Sequence, residues 1–327
     1  KLYLEYARQY YRKPDGTITT EVGNIETTLN LLVGHFGKQQ PDEFTPIDLE
    51  TLRDRMIEKD WCRGVINQRI GIVKRFFKWA ASKMYVSTVT FQGLNTVVGL
   101  RKGRTEARET EDVRPVPEEY VYKVLPHTTD TVAAMMELQL YTGMRSGELV
   151  IIRPMDIDTT GKIWHYRPQT HKTEHHGHSR LVSLGCEAQR ILKPFLDRKL
   201  DTYCFSPAES VQQYQKEKRE KRKTPVTYGN RPGTNRTDNP QWKPGSRYKT
   251  GSYRRAVKRA IRKARKEHKD IPDFTPHQLR HTAATRARKE LGLDAARAML
   301  GHRNMRITDD YAEIDKTLAD KAATLLG

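Results

Sequence analysis

Thr275-Pro-His-Gln-Leu-Arg-His-Thr282 sets His277 three residues before Arg280. Side chains at that spacing share one face of a helical turn. Pro276 suits the opening of such a turn, because the first helical N–H has no partner in any case. The spacing predicts an imidazole and a guanidinium presented together, both able to donate hydrogen bonds to an anion. Downstream, Leu300-Gly-His-Arg-Asn-Met-Arg-Ile-Thr-Asp-Asp-Tyr311 places His302 nine residues before Tyr311. Upstream, Tyr141-Thr-Gly-Met-Arg-Ser-Gly-Glu-Leu149 reads as a helix end, a glycine turn and then Arg145 opening the next helix. Between them lies His171-Lys172-Thr173, in a polar stretch that leads into Arg180-Leu-Val-Ser-Leu184.

Each piece is weak alone. Loop lysines are usually solvated, and one tyrosine among 15 is usually a packing residue. The ordered set Arg, Lys, His-x-x-Arg, Gly-His, Tyr is far more specific than any member.

Residues 1–100 read as helical. Val22, Ile25, Leu29, Leu32, Val33 and Phe36 form a helical stripe. Asp48 is expected to cap a second helix carrying Leu49, Leu52, Met56 and Ile57. A third, Val65–Met84, buries Ile66, Ile70, Val73, Phe76, Phe77 and Ala80. Arg69, Lys74, Arg75 and Lys78 rim that face. Such a rim is usually a solvated surface, with backbone phosphate as the competing reading. Residues 101–117 are charged, hold two prolines and lack an apolar period, so they read as an interdomain linker.

Residues 118–327 mix helices with strands. Ile163–Tyr166 and Arg180–Leu184 alternate as strands do, joined by a long hairpin loop over Pro168–Ser179. Helices are expected near Tyr120–Leu125, Thr131–Thr142, Cys186–Asp201, Ser252–Lys269, Thr282–Glu290, Asp294–Leu300, Arg306–Tyr311 and Leu318–Leu326. The fold class is therefore mainly α with a small antiparallel β-sheet, an α+β arrangement. The stretch 207–250 is read as a basic insert, disordered or extended in the free protein. Helix Tyr253–Lys266 shows a narrow apolar stripe ringed by Arg254, Arg255, Lys258, Arg259, Arg262 and Lys263. Like charges at helical spacing repel, and phosphate nearby would relieve that cost.

The chain carries +19 formal charge, and Pro207–Pro272 alone holds 20 basic against 6 acidic residues, a net +14. An excess that large favours an anionic partner. The membrane alternative is weak: the longest apolar runs, such as Leu149–Ile152, fall far short of the roughly 20 residues of a spanning helix. No charged-then-apolar leader opens the chain, and it starts at Lys1 rather than Met, so its natural first residues are expected to be missing. Cys62, Cys186 and Cys204 share no metal-like spacing and read as free thiols of a reducing cytoplasm. His171, His175, His176 and His178 cluster, but without Cys or a second spaced cluster no metal is expected.

On those four motifs the chain resembles the tyrosine recombinase (phage-integrase-type) family, over essentially its whole length. The resemblance implies a helical, SAM-like core-binding domain at 1–100, a linker, and a catalytic domain at 118–327, closing as a C-shaped clamp around DNA. It implies a site-specific recombinase that cuts and rejoins DNA through a 3′-phosphotyrosine, integrating or excising a mobile element. The catalytic set carried over is Arg145, Lys172, His277, Arg280, His302 and the nucleophile Tyr311. Lys172 takes the role of protonating the leaving 5′ oxygen, and His277 that of accepting the tyrosine proton. No metal or ATP is implied. The implied partners are double-stranded DNA with inverted-repeat half-sites and further copies of the chain, as dimer and tetramer, with a helix at 317–326 docking on a neighbour. A cytoplasmic, nucleoid-associated protein of a prokaryote, phage or mobile element is expected.

The chemistry agrees with the resemblance. A phosphodiester under attack gathers charge on its non-bridging oxygens, and two arginines can each fork onto them. A phenol with a pKa near 10 needs a base or strong local cations to react at neutral pH. Two other readings compete: a type IB topoisomerase-like enzyme, and a DNA-binding regulator with an idle site. The Leu300-Gly-His302 segment argues against the first, and six filled positions argue against the second.

Overall fold

In the computed structural model the described residues are 1–13, 15–169, 180–225 and 244–301. They divide into two units, Lys1–Asp112 and Val113 onward.

The first unit is all helical: α1 (Leu2–Tyr10), α2 (Thr20–Phe36), α3 (Pro46–Glu58), α4 (Arg63–Ser82) and α5 (Thr88–Asn95). Helix α4 is its axle, because Ile66, Ile70, Val73, Phe77 and Ala80 recur every three or four residues and are all buried. Leu49, Leu52 and Met56 of α3 and Leu94 of α5 complete the core. Helix α1 is not among the elements expected from the sequence. Its stripe is aromatic rather than aliphatic, with Tyr3 packed on Phe76 (5.3 Å) and Trp79 (5.2 Å) and Tyr6 stacked on Trp79 (5.8 Å). The expected cap also moves. Thr45, not Asp48, is the N-cap of α3, and Asp48 sits at the third helical position. The Thr45 hydroxyl accepts from the Asp48 N–H, and the Asp48 carboxylate accepts from the Thr45 N–H at 2.8 Å.

The expected linker is mostly exposed and contains the boundary between the units, with one buried residue toward each end. Ala107 is buried in the first unit, and the Arg63 N–H donates to the Arg108 carbonyl at 2.9 Å. Val116, at the far end of the same stretch, is buried in the second unit, where its N–H donates to the Thr282 hydroxyl at 3.0 Å.

The second unit is built around α7 (Asp130–Thr142), preceded by α6 (Glu118–Val124). Helix α7 is buried on nearly every face, from Thr131 to Thr142, which marks it as the centre of its unit. A short α8 (Ser146–Leu149) leads to the sheet β1 (Ile157–Asp158), β2 (Trp164–Tyr166) and β3 (Val182–Leu184). All pairings are antiparallel, with Ile157 opposite Tyr166 and Tyr166 opposite Val182. The expected hairpin is therefore present, and β1 adds a third strand too short to show alternation.

Helix α9 (Cys186–Leu192) ends earlier than expected, with Pro194 beginning a single 3-10 turn over Lys193–Phe195. The basic insert departs most from expectation. Its first part is an ordered helix, α10 (Pro207–Glu220), capped by the Ser206 hydroxyl accepting from the Ala208 N–H. Ser210 ties it down, bonded to the Tyr248 hydroxyl (2.9 Å) and to Thr129 (3.1 Å). These polar anchors carry no apolar period, so the sequence pattern does not reveal the helix. Helix α11 (Thr250–Ala264) buries Tyr253, Val257, Ala260, Ile261 and Ala264. The expected turn at Thr275 and the separate helix at Thr282 are one helix, α12 (Pro276–Leu291), followed by α13 (Leu293–Leu300). The helices expected at Arg306–Tyr311 and Leu318–Leu326 lie outside the described residues.

Candidate active site

Arg280 is the organising residue, fully buried on α12. A buried guanidinium must be satisfied by acceptors. One Nη donates to the Gly143 carbonyl and the other to the Leu300 carbonyl at 2.9 Å. Gly143 is the C-cap of α7 and Leu300 is the last residue of α13. Carbonyls at helix C-termini lack intrahelical partners and carry partial negative charge. One cation therefore closes two helix ends. Both ends turn through glycines in the left-handed region, Gly143 at φ +61° and Gly301 at φ +65°. The left-handed conformation favours glycine at Gly143, where an added Cβ would also displace the end of the Met299 side chain, 2.9 Å away.

Two residues past Gly143, Arg145 caps α8 with its backbone N–H donating to Glu148 Oε2 at 2.9 Å. Its side chain returns to the same carboxylate, Nη1 donating to Oε1 at 2.9 Å. Glu148 is buried at 2% side-chain exposure, and Arg180, at 6%, brings its Nε within 3.6 Å of Oε1. Arg180 Nη2 donates to the Met299 carbonyl at 3.1 Å, again at the end of α13. The contacts thus form a closed circuit: Arg145, Glu148, Arg180, the Met299–Leu300 turn, Arg280 and Gly143, back to Arg145. Burial acts to raise the Glu148 carboxyl, but Arg180 and Arg145, with the Arg145 N–H, hold it below the usual carboxylate range. Burial pushes the Arg180 guanidinium down from its ordinary value, Glu148 opposing and Arg145 adding to it.

A second support reaches the turn from below. Gln139 is fully buried on α7, and its Nε2 donates to the Met144 carbonyl at 3.0 Å and lies 3.3 Å from the Ser146 hydroxyl. Its Oε1 accepts from the hydroxyl of the buried Tyr253 on α11 at 2.9 Å. The turn that carries Arg145 is thereby bonded to the most cationic helix among the described residues.

Of the six catalytic residues expected from sequence, the fold brings Arg145 and Arg280 into one circuit. His277 is exposed near the start of α12, its ring 5.1 Å from that of the buried His281. Lys172, His302 and Tyr311 lie outside the described residues. Sequence reasoning passes over Glu148, Arg180, Gln139 and Tyr253. Glu148 carries a readable signal as an acidic residue three places after Arg145, the position that closes a capping box. Gln139 and Tyr253 have none, because a polar group on a buried helix face declares its partner only in three dimensions.

The DNA-contact candidates separate into two kinds. On α4, Arg69 donates to the Asn24 side chain at 3.0 Å, Lys74 to the Val97 carbonyl, and Arg75 to Glu21 while lying over the Tyr11 ring. Those three hold the first unit together, and Lys78 is exposed. On α11 all six are exposed in two rows. Arg254, Lys258 and Arg262 form one. Arg255, Arg259 and Lys263 form the other and line a cavity of about 780 Å³ shared with Tyr214 and Tyr248. Among the described residues no group of three or more His, Cys, Asp or Glu could hold a metal, and the expected histidine cluster falls outside them. No helix among them is long and apolar enough to cross a membrane.

Comparison with known proteins adds three findings. The model of the phage integrase family matches residues 121–317. The tyrosine recombinase XerC of Bifidobacterium longum (strain DJO10A) is 28% identical over 184 residues, 56% of this chain but 43% of that protein, so the chain matches less than half the length of its curated relative. Two solved structures share the fold. One is a lambda integrase dimer bound to a COC′ core site, with TM-score 0.65, 14% identity, and 95% of this chain and 93% of that one covered. The other is the Tn1549 transposon integrase in complex with circular intermediate DNA, with TM-score 0.63, 18% identity, and 99% and 97% covered.

Proposed function

Because the chain belongs to the phage integrase family, we propose that it is a site-specific recombinase that cleaves and rejoins DNA through a covalent bond between Tyr311 and a backbone phosphate. The observation that carries this reading is the circuit joining Arg145 and Arg280 around the ends of α7 and α13, with His277 on the same helix as Arg280. Two guanidiniums held on one frame suit the non-bridging oxygens of a phosphate whose charge rises during attack.

In the proposed reaction the Tyr311 oxygen attacks phosphorus and the bond to the 5′ oxygen breaks. His277 accepts the phenol proton, and Lys172 donates one to the departing 5′ oxygen. His302 adds a hydrogen bond to the phosphate. The product is a 3′-phosphotyrosine and a free 5′ hydroxyl. Attack by a 5′ hydroxyl runs the steps backwards. Phosphoester energy is kept in the protein link, so rejoining needs no ATP, and side-chain cations supply the charge that a metal would otherwise bring. The rows on α11, with Lys78 of α4, are assigned to backbone phosphate. Duplex with inverted-repeat half-sites is the proposed substrate, bound by two and then four copies, with residues 317–326 docking between them. The proposed compartment is the cytoplasm, on the nucleoid.

The test is a nicked half-site duplex that traps cleavage. Wild-type protein is expected to give a protein–DNA adduct on a denaturing gel, and Tyr311→Phe none. An adduct that survives in Tyr311→Phe, or none from wild type, overturns the assignment. Exchange of strands between two labelled sites then separates recombination from simple relaxation of supercoils.

A further inference from the structure

Glu148 serves two guanidiniums with one carboxylate. Arg145 holds Oε1 at hydrogen-bond distance, 2.9 Å, whereas Arg180 stands back at 3.6 Å. Glu148 and Arg180 are buried, and Arg145 is the outward member, at 24% side-chain exposure. The arrangement poses a physical difficulty for the site. An arginine that turns its fork toward a phosphate loosens its hold on the carboxylate, and a buried carboxylate that loses a cationic partner carries a desolvation cost. Arg145 and Glu148 as an isolated pair would also be neutral, offering an anion little attraction.

We propose that Arg180 is a positioning residue that hands Arg145 over to the phosphate: as Arg145 turns outward, Arg180 closes on the Glu148 carboxylate and keeps it neutralised. This deepens, and rests on, the reading of Arg145 as a phosphate ligand. Arg180 is already at ion-pair distance from Oε1, so a small movement completes the bond. Its place is fixed from the other side by the Met299 carbonyl, and its guanidinium lies against Gly301, where any Cβ would collide with Nη1. The hand-over therefore occurs against the turn from which the chain runs on to His302.

The test compares single-turnover adduct formation and half-site binding in wild type, Arg180→Gln, Glu148→Gln and the double variant. Arg180→Gln leaves Arg145 as the sole partner of a buried carboxylate. Cleavage is expected to fall on the order of tenfold or more while half-site binding changes little, and removing the charge with Glu148→Gln in the same protein is expected to restore much of the loss. A residue that merely filled space would give additive losses in the double variant. Circular dichroism and thermal unfolding check each protein. Should Arg180→Gln not fold, Arg180→Lys with and without Glu148→Gln takes its place, since lysine keeps the charge but offers one nitrogen in place of the fork that spans Met299 and Glu148. Wild-type cleavage in Arg180→Gln, or a double variant no faster than the single, overturns the hand-over and leaves the recombinase reading standing. No adduct from wild type overturns both.

Discussion

At the scale of single residues the site depends on two glycines and a carboxylate. Gly143→Ala must accept a left-handed φ and a clash with Met299, and is expected to lower unfolding stability by about 1–3 kcal/mol. Denaturant unfolding measures it, and a value near zero means that the α7–α13 packing can relax. Glu148 makes a prediction in pH. Its carboxyl is held below the ordinary range in the folded chain, so its contribution to stability is complete above the unfolded value, near pH 4.3, and is lost as pH falls through the lower folded value. Glu148→Gln lacks that contribution. Thermal unfolding across pH 7 to 3 should show wild type above the variant at neutral pH, with the gap closing below about pH 4. A gap that stays constant into acid assigns the stability to something other than the charge.

At the scale of elements, α11 acts on the site through one hydroxyl. Tyr253→Phe deletes the donor to Gln139 and leaves a buried amide oxygen unpaired, at an expected cost of about 1–3 kcal/mol. Because Gln139 also holds the Arg145 turn, the rate of adduct formation should fall more than half-site binding does. A stability loss with unchanged cleavage would show the turn to be rigid without that bond. The aliphatic helices α2, α3 and α4 are legible in the spacing of their apolar residues. Helix α1 is not, because its buried stripe is tyrosine packed on Phe76 and Trp79. Helix α10 is not, because hydroxyl bonds at Ser210 fix it where apolar burial is scant.

At the scale of the whole molecule the dominant property is charge. With +19 overall, duplex binding should weaken steeply with salt, each neutralised phosphate contributing about 0.9 to the log–log slope. Replacing Arg254, Lys258 and Arg262 by Gln is expected to flatten that slope by about 0.9 for each phosphate that is no longer neutralised. Replacing Arg69 or Lys74, which bond within their own unit, is expected to reduce stability and leave the slope alone. Fluorescence anisotropy over a salt series separates the two classes. An unchanged slope for the α11 variant removes that row from the phosphate path.

The sequence alone determined the helical first unit, the small antiparallel sheet, the charge and the order of the six motif residues, because these depend on periodicity and spacing along the chain. Only the tertiary structure decided that Arg280 closes two helix ends, that Glu148 is shared between Arg145 and Arg180, and that three of the four DNA-contact candidates on α4 are bonded within their own unit. Those assignments turn on which acceptor stands opposite a side chain. Gly143, Leu300 and Met299 are brought to Arg280 and Arg180 by the packing of α7, α12 and α13, and no local pattern records that packing.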